Sequence, residues 1–334
     1  MSHFGAAQPR ARRFRATESG SYPARLGMLS GIILAYVSVM HPNEQLRWPE
    51  RAHPMRDDAF WSTWQARLEL DFSLAPAPEL GKTRLHHKHV GPLRIQKALY
   101  PEGASPCHAI IVHPPGGIAA GDRLEVNIVC EAGTHGLVTT PSAAKWYGAD
   151  SDTLASQHID MELDGSFEWL PQETIVFNRA HVASDISIRV SDKGAMIGWD
   201  HLIFGRQASG ESFVDGTFKQ TLRLDVDGEL VWLDRMALQG GDPLFMSPIG
   251  LRGRFAFATC WAVMPGHKEW GEATVETLRQ EVSGVAWTVL HPRVVVGRIL
   301  APAMDIKILL EAAWTSLRPI VLERKAVAPR LWAT

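Results

Sequence analysis

Three cysteines in 334 residues, Cys107, Cys130 and Cys260, are too few and too scattered for a disulfide framework, and their odd number argues the same way. The scarcity also excludes a Cys-x-x-Cys zinc site and fits a reducing cytoplasm. An excess of either charge is missing as well. Lys and Arg number 34 against 36 Asp and Glu, a formal net charge of −2, so no basic footprint for nucleic acid exists. The apolar run LGMLSGIILAYVSVM (26–40) falls short of the roughly 20 residues a membrane-spanning helix needs. It follows Arg10, Arg12, Arg13 and Arg15 in the order of a secretory leader, yet no small-residue cleavage site comes after it. Residues 1–54 are therefore expected to be an extension, either disordered or upstream of a natural start at Met55. An anchoring or translocation role and an ordinary extra element stay open, and residues 55–334 are expected to form one domain.

Several chemical motifs are absent too. No GxSxG elbow, HExxH helix or GxGxxG fingerprint occurs. Cys107 and His108 are neighbours, which in a strand puts them on opposite faces and argues against a thiolate–imidazole pair. No alternation of strands with helices appears, so a doubly wound sheet is excluded.

What is present is period two. In ARLELDFSL (66–74), Leu68, Leu70, Phe72 and Leu74 share one face. RLEVNIVC (123–130), IDMEL (159–163), DISIRV (185–190) and TLRLDV (221–226) alternate likewise. Asp164-Gly165 and Asp227-Gly228 read as hairpin turns, Glu131–Gly133 and Asp192–Gly194 as looser ones. The fold expected is all-β, a sandwich or stacked-sheet β-helix, with two C-terminal helices. EATVETLRQEVSG (272–284) carries Val275, Leu278 and Val282 at helical spacing. AMDIKILLEAAWTSLRPIVLER (303–324) carries Ile306, Leu309, Leu310, Ala313 and Leu317, with Pro319 expected to break or kink it.

HPPGGIAAGD (113–122) invites a phosphate-loop reading but lacks the lysine that would meet the phosphates and ends on Asp122. The alternatives are a shaped turn, with Pro114 and Pro115 setting its course and Gly116, Gly117 and Gly121 supplying positive φ, or a loop presenting His113 and Asp122. In LHHKH (85–89), His87 and His89 share a strand face and are candidate metal ligands, against the simpler reading of a solvated face. Four further stretches mix Gly and Pro with acids, bases and amides, which core packing does not demand: 91–103, 139–149, 168–177 and 198–213.

Taken in order, GPLRIQKALYPEG, Cys107-His108, HPPGGIAAGD, TTPSAAKWY, EWLPQETIVF and GWDHLIFGRQASGESF closely resemble the UreD (UreH) family of urease accessory proteins, over about residues 60–330. The resemblance implies a cytoplasmic, non-enzymatic nickel chaperone-scaffold of stacked β-sheets with two helices. It implies binding to UreF, in a 2:2 complex that recruits the GTPase UreG, and docking on apo-urease, with no role for nucleic acid or membrane. It further implies a water-filled tunnel, with nickel in transit and no tightly bound cofactor. A hydrated dication crosses a protein only where scattered oxygen and nitrogen ligands offset its dehydration without trapping it. Carried onto this chain, the lining candidates are Asp122, Lys145, Glu168, Glu173, Asp200 and Glu211, Glu173 foremost. The alternatives are an adaptor through which no ion passes, and a carbohydrate-active β-protein built on the acids at 162–173.

Overall fold

The computed structural model describes residues 63–333; the segment 1–54 and Met55 lie outside the described residues. Its strands are β1 (Gln65–Leu74), β2 (Thr83–Val90), β3 (Arg94–Leu99), β4 (Cys107–Val112), β5 (Arg123–Cys130), β6 (His135–Thr139), β7 (Ala144–Trp146), β8 (Ala155–Leu163) and β9 (Ser166–Leu170), followed by β10 (Thr174–Val176), β11 (His181–Val190), β12 (Ala195–Phe204), β13 (Thr217–Val226), β14 (Glu229–Gln239), β15 (Ala256–Val263), β16 (Ala286–His291) and β17 (Val294–Ile299). Two helices complete the described chain, α1 (Glu272–Glu281) and α2 (Ala303–Leu322).

The strands form two stacked sheets. The seven-stranded sheet runs β14-β13-β11-β8-β5-β1-β2 and the ten-stranded sheet β16-β17-β15-β12-β9-β6-β4-β3, with β7 and β10 beside it. Within the first sheet, β1, β5, β8, β11 and β13 are parallel; within the second, β4, β6, β9 and β12 are. Parallel neighbours need a crossover, ordinarily a helix. Here a strand of the opposite sheet provides it, so the chain coils from sheet to sheet as a flattened β-helix.

This topology corrects one turn. Asp164-Gly165 joins no hairpin, because β8 and β9 belong to different sheets. It is a corner stacked on the previous one: both its amides donate to the Cys130 carbonyl, and Ser191 N donates to the Leu163 carbonyl one coil further on. Asp227-Gly228 does close a hairpin. Its φ values of 53° and 82° are the pair a type I′ turn requires, and β13 and β14 run antiparallel from it.

The alternation expected from sequence buries Leu68, Leu70 and Phe72, but Leu74 is 46% exposed, since β1 runs past the core there. One apolar core lies between the sheets, where the parallel strands point Leu70, Ile128, Met161 and Ile188 at Phe167, Trp169 and Leu202. A second lies between the ten-stranded sheet and the helices, with Val275 and Leu278 of α1 and Ile306, Leu310, Ala313 and Leu317 of α2. Pro319 does not break α2, which continues to Leu322 and stops at Glu323 in the left-handed region, φ 56°. Burial of Val321 and Leu322 favours carrying the helix over the proline's missing hydrogen bond.

Candidate functional site

Sheet alternation creates a core, and three exceptions to it create a hollow. On β8, β11 and β13 the inward positions are apolar except for Gln157, Ser184 and Gln220. Parallel register places these side by side: Gln157 pairs with Ser184, and Ser184 with Gln220. Facing this row from the other sheet is Asp200 of β12, whose Oδ2 accepts a 2.6 Å hydrogen bond from Gln220 Nε2. Polar side chains of this size cannot interdigitate like the leucines beside them, and a cavity of about 230 Å³ remains between the sheets. Lys145 of β7, His113, Gln172 and the 140–143 turn also line it.

The cavity's polar groups are incompletely paired. His113 Nε2 is buried without a hydrogen-bond partner, and burial pushes the His113 pKa down. Burial, with the nearby Asp234 carboxylate, pushes Asp200 up to about 6. Such a site is poised for a guest that brings its own charge or water.

HPPGGIAAGD frames the mouth of this cavity. Gly116 and Gly121 have φ of 81° and 87°. Gly117 does not share that conformation; it leaves room for Tyr147, whose ring a Cβ would meet at 2.3 Å. Pro114 lines the cavity while Pro115 sits on the exposed tip of the turn. Asp122 is a bracket: its two oxygens accept from Trp64 N and Ala119 N, each at 2.8 Å, and the residue is 2% exposed.

The remaining candidates disperse. Glu173 lines a separate small hollow with His201, Lys307 and Glu311; Pro171 and Gln172 contribute to the lining of both this hollow and the main cavity. Burial and Lys307 push His201 down to about 4. Glu211 lies outside, in a bidentate pair with Arg206. His87 and His89 are exposed on β2, the edge strand of its sheet, opposite Leu70 and Leu68. Among the described residues no three metal-ligating side chains converge.

Glu168 is the largest departure, because it faces the helices rather than the cavity. It is fully buried, pairs with His135 at 2.8 Å and accepts from Trp314 at 2.6 Å and from Arg318 at 3.0–3.2 Å. Arg318, also fully buried, donates onward to Glu102 at 2.8 and 2.9 Å, and Glu102 meets His108 at 3.1 Å. Burial opposes ionisation of Glu102, but hydrogen bonds from His108 and Arg318 prevail and hold it at about 2. Glu168 is likewise held below the usual carboxylate range against its burial, by His135, Arg318 and Trp314. This network ties α2 to β4, β6 and β9. Arg318 and Glu102 carry no periodic pattern that would have revealed them in the sequence, whereas Gln157, Ser184 and Gln220 stand out as breaks in alternation.

Fold and site together define an all-β scaffold enclosing a mainly apolar hollow that carries a row of polar groups and one unpartnered imidazole nitrogen. No helix among the described residues is long and apolar enough to cross a membrane. The UreD urease accessory protein family matches residues 65–333. Urease accessory protein UreD of Ralstonia nicotianae is 38% identical over 86% of this chain and 100% of its own length. UreD 2 of Pseudomonas syringae pv. syringae is 40% identical over 84% and 99%, and UreD of Janthinobacterium sp. 39% over 81% and 92%. The chain belongs to the UreD family of urease accessory proteins, and its role lies in urease maturation.

Proposed function

We propose that this chain is a cytoplasmic scaffold that binds UreF in a 2:2 complex, reaches UreG through it, docks on apo-urease, and passes nickel through its inter-sheet cavity. Nickel here is cargo, so its ligands must be sparse. The cavity between the Gln157–Ser184–Gln220 row and Asp200 carries this reading: neutral amide and hydroxyl oxygens, one carboxylate and one unpartnered imidazole offer a dication successive weak holds. Lys145, which lines the same cavity, opposes deep retention of a cation.

The test is the double variant Asp200→Asn, Gln157→Leu, co-expressed with urease and its other accessory proteins. The expected outcome is retained UreF binding and a several-fold fall in nickel per urease active site. Full nickel loading with intact complexes would sink the cavity path and leave the adaptor reading standing.

A further inference from the structure

Near the cavity is a second hollow of about 50 Å³, walled by Met236, Leu238, Phe257, Arg298 and Ile299 and rimmed by the 60% exposed Ile249. Strand register sets part of the two linings side by side. Leu202, Phe218 and Gln220 line the first; their direct cross-strand partners Phe257, Leu238 and Met236 line the second.

A polar row crosses this boundary. In the ten-stranded sheet Asp200 pairs with Thr259, and Thr259 with Arg298, three inward positions in register on β12, β15 and β17. From the opposite sheet Asp234 occupies an inward position on β14. Arg298, 7% exposed, donates to Thr259 and Asp234 and packs over the Trp232 ring at 5.7 Å. Burying an arginine here is costly, and the arrangement does not repay it fully: Arg298 Nε and Asp234 Oδ1 are both buried without a partner. A site built for stability alone would close those valences, as the network around Arg318 does.

We propose that Arg298, held by Asp234 and Thr259, is a cation seal: it closes the cavity's continuation into the groove under residues 243–254, so that a divalent cation at Asp200 cannot leave by that side. The inference rests on the reading of the cavity as a nickel path. A fixed guanidinium in a low-dielectric wall repels an approaching dication, while water and neutral solutes feel no such barrier. Asp234 keeps the guanidinium in place across the passage. Asp200 lies two strand-pair steps from Arg298, through Thr259, on the cavity side.

The experiment uses nickel(II) transfer to apo-urease by the assembled accessory complex, with and without excess EDTA in the surrounding solution. The variant is Arg298→Gln with Asp234→Asn, which removes both charges and leaves no buried ion unpaired; Arg298→Lys keeps the charge. Thermal unfolding and complex formation are checked for each. Wild type and Arg298→Lys are expected to load urease despite EDTA, while the neutral pair loses at least several-fold of its loading when EDTA is present. Equal EDTA resistance in a folded neutral pair overturns the seal. If Asp200→Asn with Gln157→Leu still impairs loading in that case, the path survives and only the seal fails. If that variant also loads fully, the path itself fails and the seal with it.

Discussion

On the two faces of the ten-stranded sheet sit two polar clusters with similar residue types and opposite states of satisfaction. Under α2, the network around Arg318 and Glu168 leaves none of its buried side-chain polar atoms without a partner. Between the sheets, the groups around Asp200 leave His113, Asp234 and Arg298 each with an unpartnered atom, beside a cavity of about 230 Å³. Buried polar groups that are fully paired rigidify a structure, and those left unpaired are retained for some other reason. Glu168 and Asp200 lie in neighbouring motifs on adjacent strands, yet the first belongs to the architecture and the second to the site.

Removing the centre of the paired cluster should have the largest effect. Arg318→Met strands two buried carboxylates, and urea denaturation is expected to show a loss of about 3–5 kcal/mol. If stability hardly changed, the distinction between the clusters would collapse. Acid should act on the same cluster next. Glu102 and Glu168 ionise more readily folded than unfolded, so their contribution is complete above about pH 4.5 and falls away as pH drops, Glu102 holding out to about pH 2. Unfolding midpoints measured from pH 6 down to 2 should decline steeply in wild type and less so in a folded Glu102→Gln variant.

The unpaired cluster should respond in the other sense. Asp200, raised to about 6, binds its proton more tightly folded than unfolded, so its ionisation costs stability at neutral pH, and the cost disappears as pH falls below about 4. Asp200→Asn is therefore expected to stabilise at pH 7.5 by on the order of 1 kcal/mol while impairing nickel loading. The smallest change in stability is expected from Gln157→Leu, which restores the apolar alternation of β8 and should stay within about 1 kcal/mol of wild type. A marked loss there would mean that Gln157 is part of the architecture after all.

Much of this was legible in the chain. Period two fixed which faces of β5, β8, β11 and β13 turn inward, and Asp227-Gly228 placed its hairpin, because both signals are local. Asp164-Gly165 misled because a turn dipeptide specifies a change of direction and not which sheet receives the next strand. The candidate acids divided for a similar reason. Within one strand, Glu168 and Trp169 point to opposite layers, and only the docking of α2 on one face and the seven-stranded sheet on the other tells network from cavity.

By itself, the sequence determined the strand-rich body, the two helices and the resemblance to an accessory-protein family. The tertiary structure alone decided that the strands extend to Gln157, Ser184 and Gln220, that these stand side by side and that Asp200 faces them. It also decided that Arg318 meets Glu168 and Glu102 across separations of 150 and 216 residues. Alternation is a property of one strand and its backbone, whereas a cavity or a buried ion pair exists only where strands far apart in the chain are brought into register.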